Sequence, residues 1–380
     1  MGKIIRLARN AITLSLLVLF SAPLGIWADS GPAHRIDQPF PVQLGTSGGN
    51  INDSTRKFCF GGTLGALVED AQGQYILSNN HVLARTNLAA IGEDIIQPGL
   101  IDQVPACAKD PTDIVADLTS FVRLLFKKIG KIPINSVDAA IAKIRNGAVD
   151  PSGSILDIGP ISSDTLPPTL GLAVKKSGRT SGLTTGMISA LHVTVDVSYG
   201  KRKTARFTDQ IIITPGSFLM SGDSGSLMVE DVDPTPHAVG LLFAGGSTIA
   251  IANPIGPVLD AFGVSMVGST PSAGAFGKIF SWAKNLLGVA VSHAATPQSP
   301  GRVDPVVIDA VKRVKQRHEN RLLAIPEVVG LGVGHSEKVP GRAALEIYVK
   351  RHTESLRLAL PNSLDGVEVK VVETGEIVAY

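Results

Sequence analysis

The stretch Ser221–Val229, SGDSGSLMV, sets an acid and a hydroxyl between small residues, directly ahead of an apolar run of strand length. A serine hydroxyl is a poor nucleophile unless a base takes its proton and donors stabilise the oxyanion that results. Glycines on either side of an Asp-Ser pair let the backbone turn tightly, with amides facing a cleft. The amides so placed are those of Gly222 and Ser224. Asp223 then needs a buried cation, because an unpaired interior carboxylate is costly. Taken alone, GDSG is also a common turn, so its neighbours must decide the reading.

Two other segments supply them. YILSNNHVLA (Tyr75–Ala84) puts His81 just past an apolar strand, where an imidazole emerges into a cleft. VDAAIAKI (Val137–Ile144) puts Asp138 before another apolar strand, where a carboxylate can orient that ring. Asp94, Asp102, Asp113 and Asp117 also lie between His81 and Ser224; Asp138 is preferred because the strand after it is the most apolar. From about residue 57 the chain is a series of short β-branched runs punctuated by Gly, Pro, Asn and Asp. That pattern predicts antiparallel barrels or a sandwich and not alternating βαβ units.

The order His81, Asp138, Ser224 resembles the chymotrypsin-like serine proteases, and bacterial streptogrisin-type members in particular. KSGRTSGLTTG (Lys176–Gly186) is similar to a Gly-Arg-Thr-Thr-Gly stretch of those enzymes. LLFAGGS (Leu241–Ser247) and IANPIGPVLDAFGV (Ile251–Val264) resemble their substrate-binding strand and closing segment. CFGGTLGALVED (Cys59–Asp70) is nearer still to a trypsin-like group that includes plant narrow-leaf proteins. The resemblance covers Lys57 to Val267. It implies a mainly β fold of two antiparallel β-barrels, with a catalytic triad of His81, Asp138 and Ser224 and an oxyanion hole from the amides of Gly222 and Ser224. The family's hydroxyl on the substrate-binding strand, which helps hold the aspartate, matches Ala244 here, so that bond is expected to be missing. No terminus of the IVGG kind is present to pair with Asp223, and Arg179 is the expected partner. Phe218, Gly245 and Gly246 are expected to form the substrate pocket. The Gly216–Met220 segment carries no carboxylate, so a medium apolar residue is expected at the cleavage position and not Lys or Arg.

The rest of the 380 residues frames this unit. Residues 1–28 have a charged start, a short apolar middle and a small exit residue, as a secretory signal does; an uncleaved membrane anchor is the alternative. Removing them takes the net charge from +2 to −1, so the mature chain has no electrostatic reason to bind nucleic acid. Stable membrane association is not expected, and the location is secreted or periplasmic. The two cysteines, Cys59 and Cys107, are expected to bridge in an oxidising compartment, with two buried thiols as the alternative. Residues 29–56 read as an N-terminal extension, 57–268 as the protease-like domain, and 269–302 as a linker with a short amphipathic helix over 276–289. Residues 303–380 read as a small α/β domain: one helix, whose basic run Lys312–Arg321 forms its wet face, then three strands.

The function expected is a serine endopeptidase acting on proteins or peptides, without metal or organic cofactor. A weakly active or inactive protease-fold scaffold, and an esterase using the same triad, are the alternatives.

Overall fold

The computed structural model describes residues 33–200, 203–269 and 303–380. The leader at 1–28 and the helix expected over 276–289 lie outside them.

The first eight described strands are β1 (Thr46–Asn50), β2 (Gly62–Leu64), β3 (Ala66–Asp70), β4 (Gly73–Ser78), β5 (Asp94–Ile96), β6 (Ile114–Phe121), β7 (Ile134–Asn135) and β8 (Ala140–Ile144). All but β7 join one curled sheet in the order β3-β4-β8-β6-β5-β1-β2, and β15 (Ser265–Met266) returns to pair with β3. Strands β3, β4, β6 and β8 contribute consecutive buried residues to one apolar core around Leu67, Ile76, Val115 and Ile141. Strand β1 pairs with both β2 and β5, so residues 46–50 are part of this sheet and not an extension outside it. A disulfide joins Cys59 to Cys107, 48 positions apart in sequence, with Cα atoms 5.5 Å apart. Closing a loop of that length stabilises by about 4 kcal/mol in the chain-entropy account.

The second half begins with β9 (Ala173–Lys176), β10 (Thr184–Ser198), β11 (Thr204–Thr214), β12 (Leu227–Glu230), β13 (Ala238–Gly245) and β14 (Ala250–Pro254). They pair antiparallel in the order β9-β12-β13-β14-β11-β10, and β10 comes back to β9, closing a ring of six. The fold is therefore mainly β and chymotrypsin-like, with two antiparallel β units flanking a cleft. Helix α1 (Asn80–Leu83) follows β4 at the rim of that cleft, and α2 (Ile255–Asp260) closes the second unit.

Residues 303–380 add an α/β layer to that second sheet. Helix α3 (Pro305–Leu322) starts at Asp304, whose side chain accepts from the Val306 amide, with Pro305 at the first helical position. It lies over β16 (Val328–His335) and β17 (Ala343–Val349). Helix α4 (Glu354–Ala359) then leads to β18 (Ser363–Leu364) and β19 (Val367–Glu373), which runs parallel to β17. Strand β10 is long enough to serve two partners, and Ala190–Val195 pairs antiparallel with Gly334–Gly330 of β16. The apolar residues beneath α3, among them Val311, Leu322, Leu331 and Ile347, share one core with Ile211, Phe218 and Leu242 of the ring. The segment thus continues the second sheet. A last strand, β20 (Val378–Ala379), which the sequence did not suggest, inserts between β10 and β13.

The basic run of α3 departs from the expectation of a fully wet face. Lys315 is 4% exposed and donates to Thr194 Oγ1 at 2.8 Å, reaching back across to β10. Burial pushes its pKa down against the pull of Glu319. No described helix is long and apolar enough to cross a membrane.

A chain ending after residue 302 would uncover Ile188 and Leu191 on β10 and leave its outer edge unpaired. Each apolar side chain uncovered gives up roughly 1.5–3 kcal/mol. Such a truncation is expected to lower the melting temperature by at least about 10 °C and to raise binding of a hydrophobic dye. An unchanged melt would mean that the C-terminal layer is dispensable for folding.

Candidate active site

The turn that joins the short 3₁₀ helix Gly216–Phe218 to β12 carries SGDSGS, and both of its glycines are required by the space around them. Gly222 has φ +96°, and a Cβ there would stand 2.5 Å from Arg179 Nη1 and from Thr180 Oγ1. Gly225 has φ +93°, and a Cβ would stand 2.1 Å from Ser78 Oγ and 2.4 Å from the Thr63 carbonyl. The turn is pinned to the first sheet, since the Thr63 amide donates to the Ser224 carbonyl at 2.8 Å and Thr63 Oγ1 donates to the Gly222 carbonyl at 3.0 Å.

The buried cation beside Asp223 is Lys176, which corrects the expected Arg179–Asp223 pair. Lys176 Nζ lies 3.2 Å from Asp223 Oδ2, and both side chains are fully buried. Asp223 also accepts from the amides of Thr180 (2.7 Å), Ser181 (3.0 Å) and Met220 (2.9 Å), and from Ser181 Oγ (2.5 Å). Burial pulls the Lys176 pKa down while Asp223 holds it up; the net direction is down. Arg179 instead forks onto Asp102, with Nε and Nη2 at 2.5 and 2.7 Å from its two carboxylate oxygens. The physical reason is planar geometry: a guanidinium matches a carboxylate approached from one side. The space around Asp223, filled by amides and a hydroxyl, admits only a slender ammonium.

Asp138 and His81 do meet. His81 Nδ1 donates to Asp138 Oδ2 at 2.7 Å, and the His81 amide donates to Oδ1 at 3.3 Å. The other carboxylates weighed for this place are engaged elsewhere. Asp94 and Asp117 face Arg145, Asp113 accepts from Gln103, and Asp102 holds Arg179. Ala244 offers no hydroxyl, as expected. The hydroxyl comes from Tyr199, which follows β10 and donates to Asp138 Oδ2 at 2.6 Å. Its ring packs edge-on to His81, with centroids 5.8 Å apart at 76°. Burial and the nearby carboxylate hold the Tyr199 pKa well above its ordinary value, so it remains a donor. A lone tyrosine at a strand end carries no sequence signal of this role.

Ser224 is buried, and its Oγ donates to the Phe243 carbonyl at 3.1 Å. His81 Nε2 faces a different partner, the main-chain carbonyl of Tyr380, at 2.9 Å. Strand β20 brings that residue in: Val378 pairs antiparallel with Gly245 and Ala379 with Ala244, while the Tyr380 amide points at the Phe243 carbonyl at 3.4 Å. A Cβ on Gly245 would come within 2.7 Å of the Tyr380 ring, and one on Gly246 within 2.4 Å of the Thr374 carbonyl. Both glycines of the expected pocket therefore face the C-terminal segment. Phe218 is 1% exposed and belongs to the core, so its ring does not line an open pocket.

Both ring nitrogens of His81 face acceptor oxygens. Burial lowers its pKa, but the charge and hydrogen bond of Asp138 outweigh that, Tyr380 and Asp53 add to it, and the net direction is up. Beside His81 and Tyr380 lies a cavity of about 320 Å³ bordered also by Asp53, Tyr199, Arg179 and Gly222. Asp53 is a titratable group that the sequence did not single out; burial, opposed by Arg85 and His81, pushes its pKa up to about 6.

A family model described as the Nal1 C-terminal domain matches residues 132–251. Curated proteins gave no match. Solved structures that the chain resembles are serine proteases. One is a glutamic-acid-specific serine protease said to use a histidine triad in substrate binding (20% identity, TM-score 0.40, 59% of this chain and 100% of that one). Thermobifida fusca Protease A has 16% identity and a TM-score of 0.39, over 60% of this chain and 99% of its own. A Cellulomonas bogoriensis chymotrypsin has 19% identity and the same TM-score and coverage.

Two variants probe this geometry. Lys176→Met leaves Asp223 charged and buried without its cation, and is expected to destabilise the protein by about 3–5 kcal/mol in denaturant unfolding. A loss below 1 kcal/mol would mean that the amides alone suffice. Asp138→Asn removes the largest influence raising the His81 pKa, so the imidazole midpoint followed by NMR is expected to fall. A rise would contradict the assigned contact.

Proposed function

We propose that the protein is a serine endopeptidase secreted from the cell. The observation that carries the reading is the His81–Asp138 pair, buried beside a glycine-bounded turn that bears Ser224. When Nε2 is free and neutral, Ser224 Oγ swings from the Phe243 carbonyl toward it and attacks the scissile carbonyl carbon, and its proton passes to Nε2. The C–O bond forms as the carbonyl π bond opens, and the amides of Gly222 and Ser224 receive the oxyanion. Collapse breaks the C–N bond, and His81 returns the proton to the leaving amine. A water molecule, deprotonated by the same ring, then releases the acyl group from Ser224. Asp138, held by Tyr199 and by the His81 amide, fixes the tautomer with Nδ1 protonated.

Arg179 and Asp223 are not paired in this scheme. Lys176 keeps the turn in shape, and Arg179 borders the cavity on the leaving-group side. The disulfide Cys59–Cys107 suits an oxidising compartment. The competing reading, a protease-fold binding module, draws on the engagement of Ser224 Oγ and His81 Nε2 with other groups.

A fluorophosphonate reagent separates the two. The full chain is expected to acquire label, at whatever rate, and Ser224→Ala to acquire none; turnover of a peptide substrate is expected to fall by about 10⁴ in Ser224→Ala. Label that persists in Ser224→Ala, or none in either protein, would remove the hydrolase reading.

A further inference from the structure

Three features of the C-terminal segment converge on the cleft. Val378 and Ala379 lie antiparallel to β13 in register with Gly245 and Ala244, which is how an extended peptide adds to a strand edge. Tyr380 follows with its amide toward the Phe243 carbonyl, its ring over Gly245, and its carbonyl oxygen on His81 Nε2. That oxygen occupies the ring nitrogen that the serine mechanism needs free. Resting on the hydrolase reading above, we propose that Val378–Tyr380 is the protein's own substrate mimic: it shuts the site, and its sequence reports the preferred substrate, an aromatic residue before the scissile bond, a small one before that and an aliphatic one third.

The aromatic preference has a structural cause. The aromatic ring fits because Gly245 has no side chain; any Cβ would come within 2.7 Å of it. The ring also packs on the core that contains Phe218 and Leu219, which gives it an apolar floor without a carboxylate or a free cation. Ala379 borders the same cavity as His81 and Tyr199. The segment is held from behind. The Ser198 amide donates to the Ile377 carbonyl at 2.9 Å, the Ser247 amide donates to the Thr374 carbonyl at 2.8 Å, and Thr248 Oγ1 donates to the Glu373 carbonyl at 2.9 Å. Ile377 and Thr374 are buried while Val378, Ala379 and Tyr380 are half-buried, so the last three residues can leave while their anchor stays. An attached segment competes at an effective concentration in the millimolar range, enough for a weak peptide to hold the site.

The test compares the full chain, a chain lacking Val378–Tyr380, and the full chain with Tyr380→Gly. The substrates are Val-Ala-Tyr, Val-Ala-Lys and Val-Ala-Glu linked to p-nitroaniline. The shortened chain is expected to cleave the tyrosyl substrate at least about tenfold faster than the full chain, with Tyr380→Gly between them. It is also expected to favour the tyrosyl substrate over the other two. Binding is read separately by calorimetry, with the peptide Glu-Ile-Val-Ala-Tyr and the shortened chain carrying Ser224→Ala; saturable binding is expected. Equal rates in full and shortened chains would overturn self-inhibition. A preference for the lysyl or glutamyl substrate would overturn the specificity. Peptide binding without cleavage of any substrate would uphold the mimicry and sink the hydrolase reading, whereas absence of peptide binding would sink the mimicry itself.

Discussion

Asp223 draws its donors from three separate pieces of chain, and the turn that bears Ser224 has its present shape because of that. Lys176 reaches it from the end of β9, Thr180 and Ser181 from the following loop, and the Met220 amide from the turn's own approach. Each charge-assisted bond is worth about 1.5–3 kcal/mol, yet stripping water from two full charges takes back several kcal/mol. The net gain in stability is small. What the arrangement secures is position: two loops that would otherwise move apart are tied to one carboxylate, and the serine next in sequence inherits their rigidity. A second tie, Arg179 to Asp102, fixes the outer side of the same loop to the first sheet.

Much of this was legible beforehand, for reasons particular to each residue. His81, Asp138 and Ser224 each stand at the border of an apolar strand and a polar bend, where the local pattern alone marks a group displayed at a cleft. The strand runs themselves were readable because their apolar content outlasts any one contact. The partner of Asp223 was not. Lys176 and Arg179 are three residues apart in one motif, and only the packing decides that the slender ammonium goes inward and the fork outward to Asp102. Asp102 had been a rival for the place of Asp138, and its true engagement depends on a loop 77 residues away. Tyr199 was equally hidden. Its service to Asp138 comes from the aromatic packing that leads through Phe207 to Phe243, a column with no footprint in sequence spacing.

The C-terminal layer shows the same division. One helix and the main strands follow from periodicity, while their attachment to β10 does not. An exposed edge of a fifteen-residue strand invites pairing, and β16, buried from Val328 to Gly334, fills that edge. The buried Lys315 is a by-product: a basic residue placed by helical spacing on what would be the outer face instead meets a threonine hydroxyl of the neighbouring sheet. Its long aliphatic stem makes that burial tolerable.

The latch at Thr374 and Ser247 gives the tail a fixed origin, and seven positions separate Glu373 from Tyr380. Gly375 (φ +72°) turns the chain inside that stretch and Val378–Ala379 is extended, so the length of the turn sets which side chains of the strand face the cleft. One residue more or less between the latch and Val378 would turn the aromatic ring outward and deliver a different carbonyl to the imidazole. Point substitutions along the stretch would leave its reach unchanged. The spacing is thus the property that natural variation in this segment can least afford to alter.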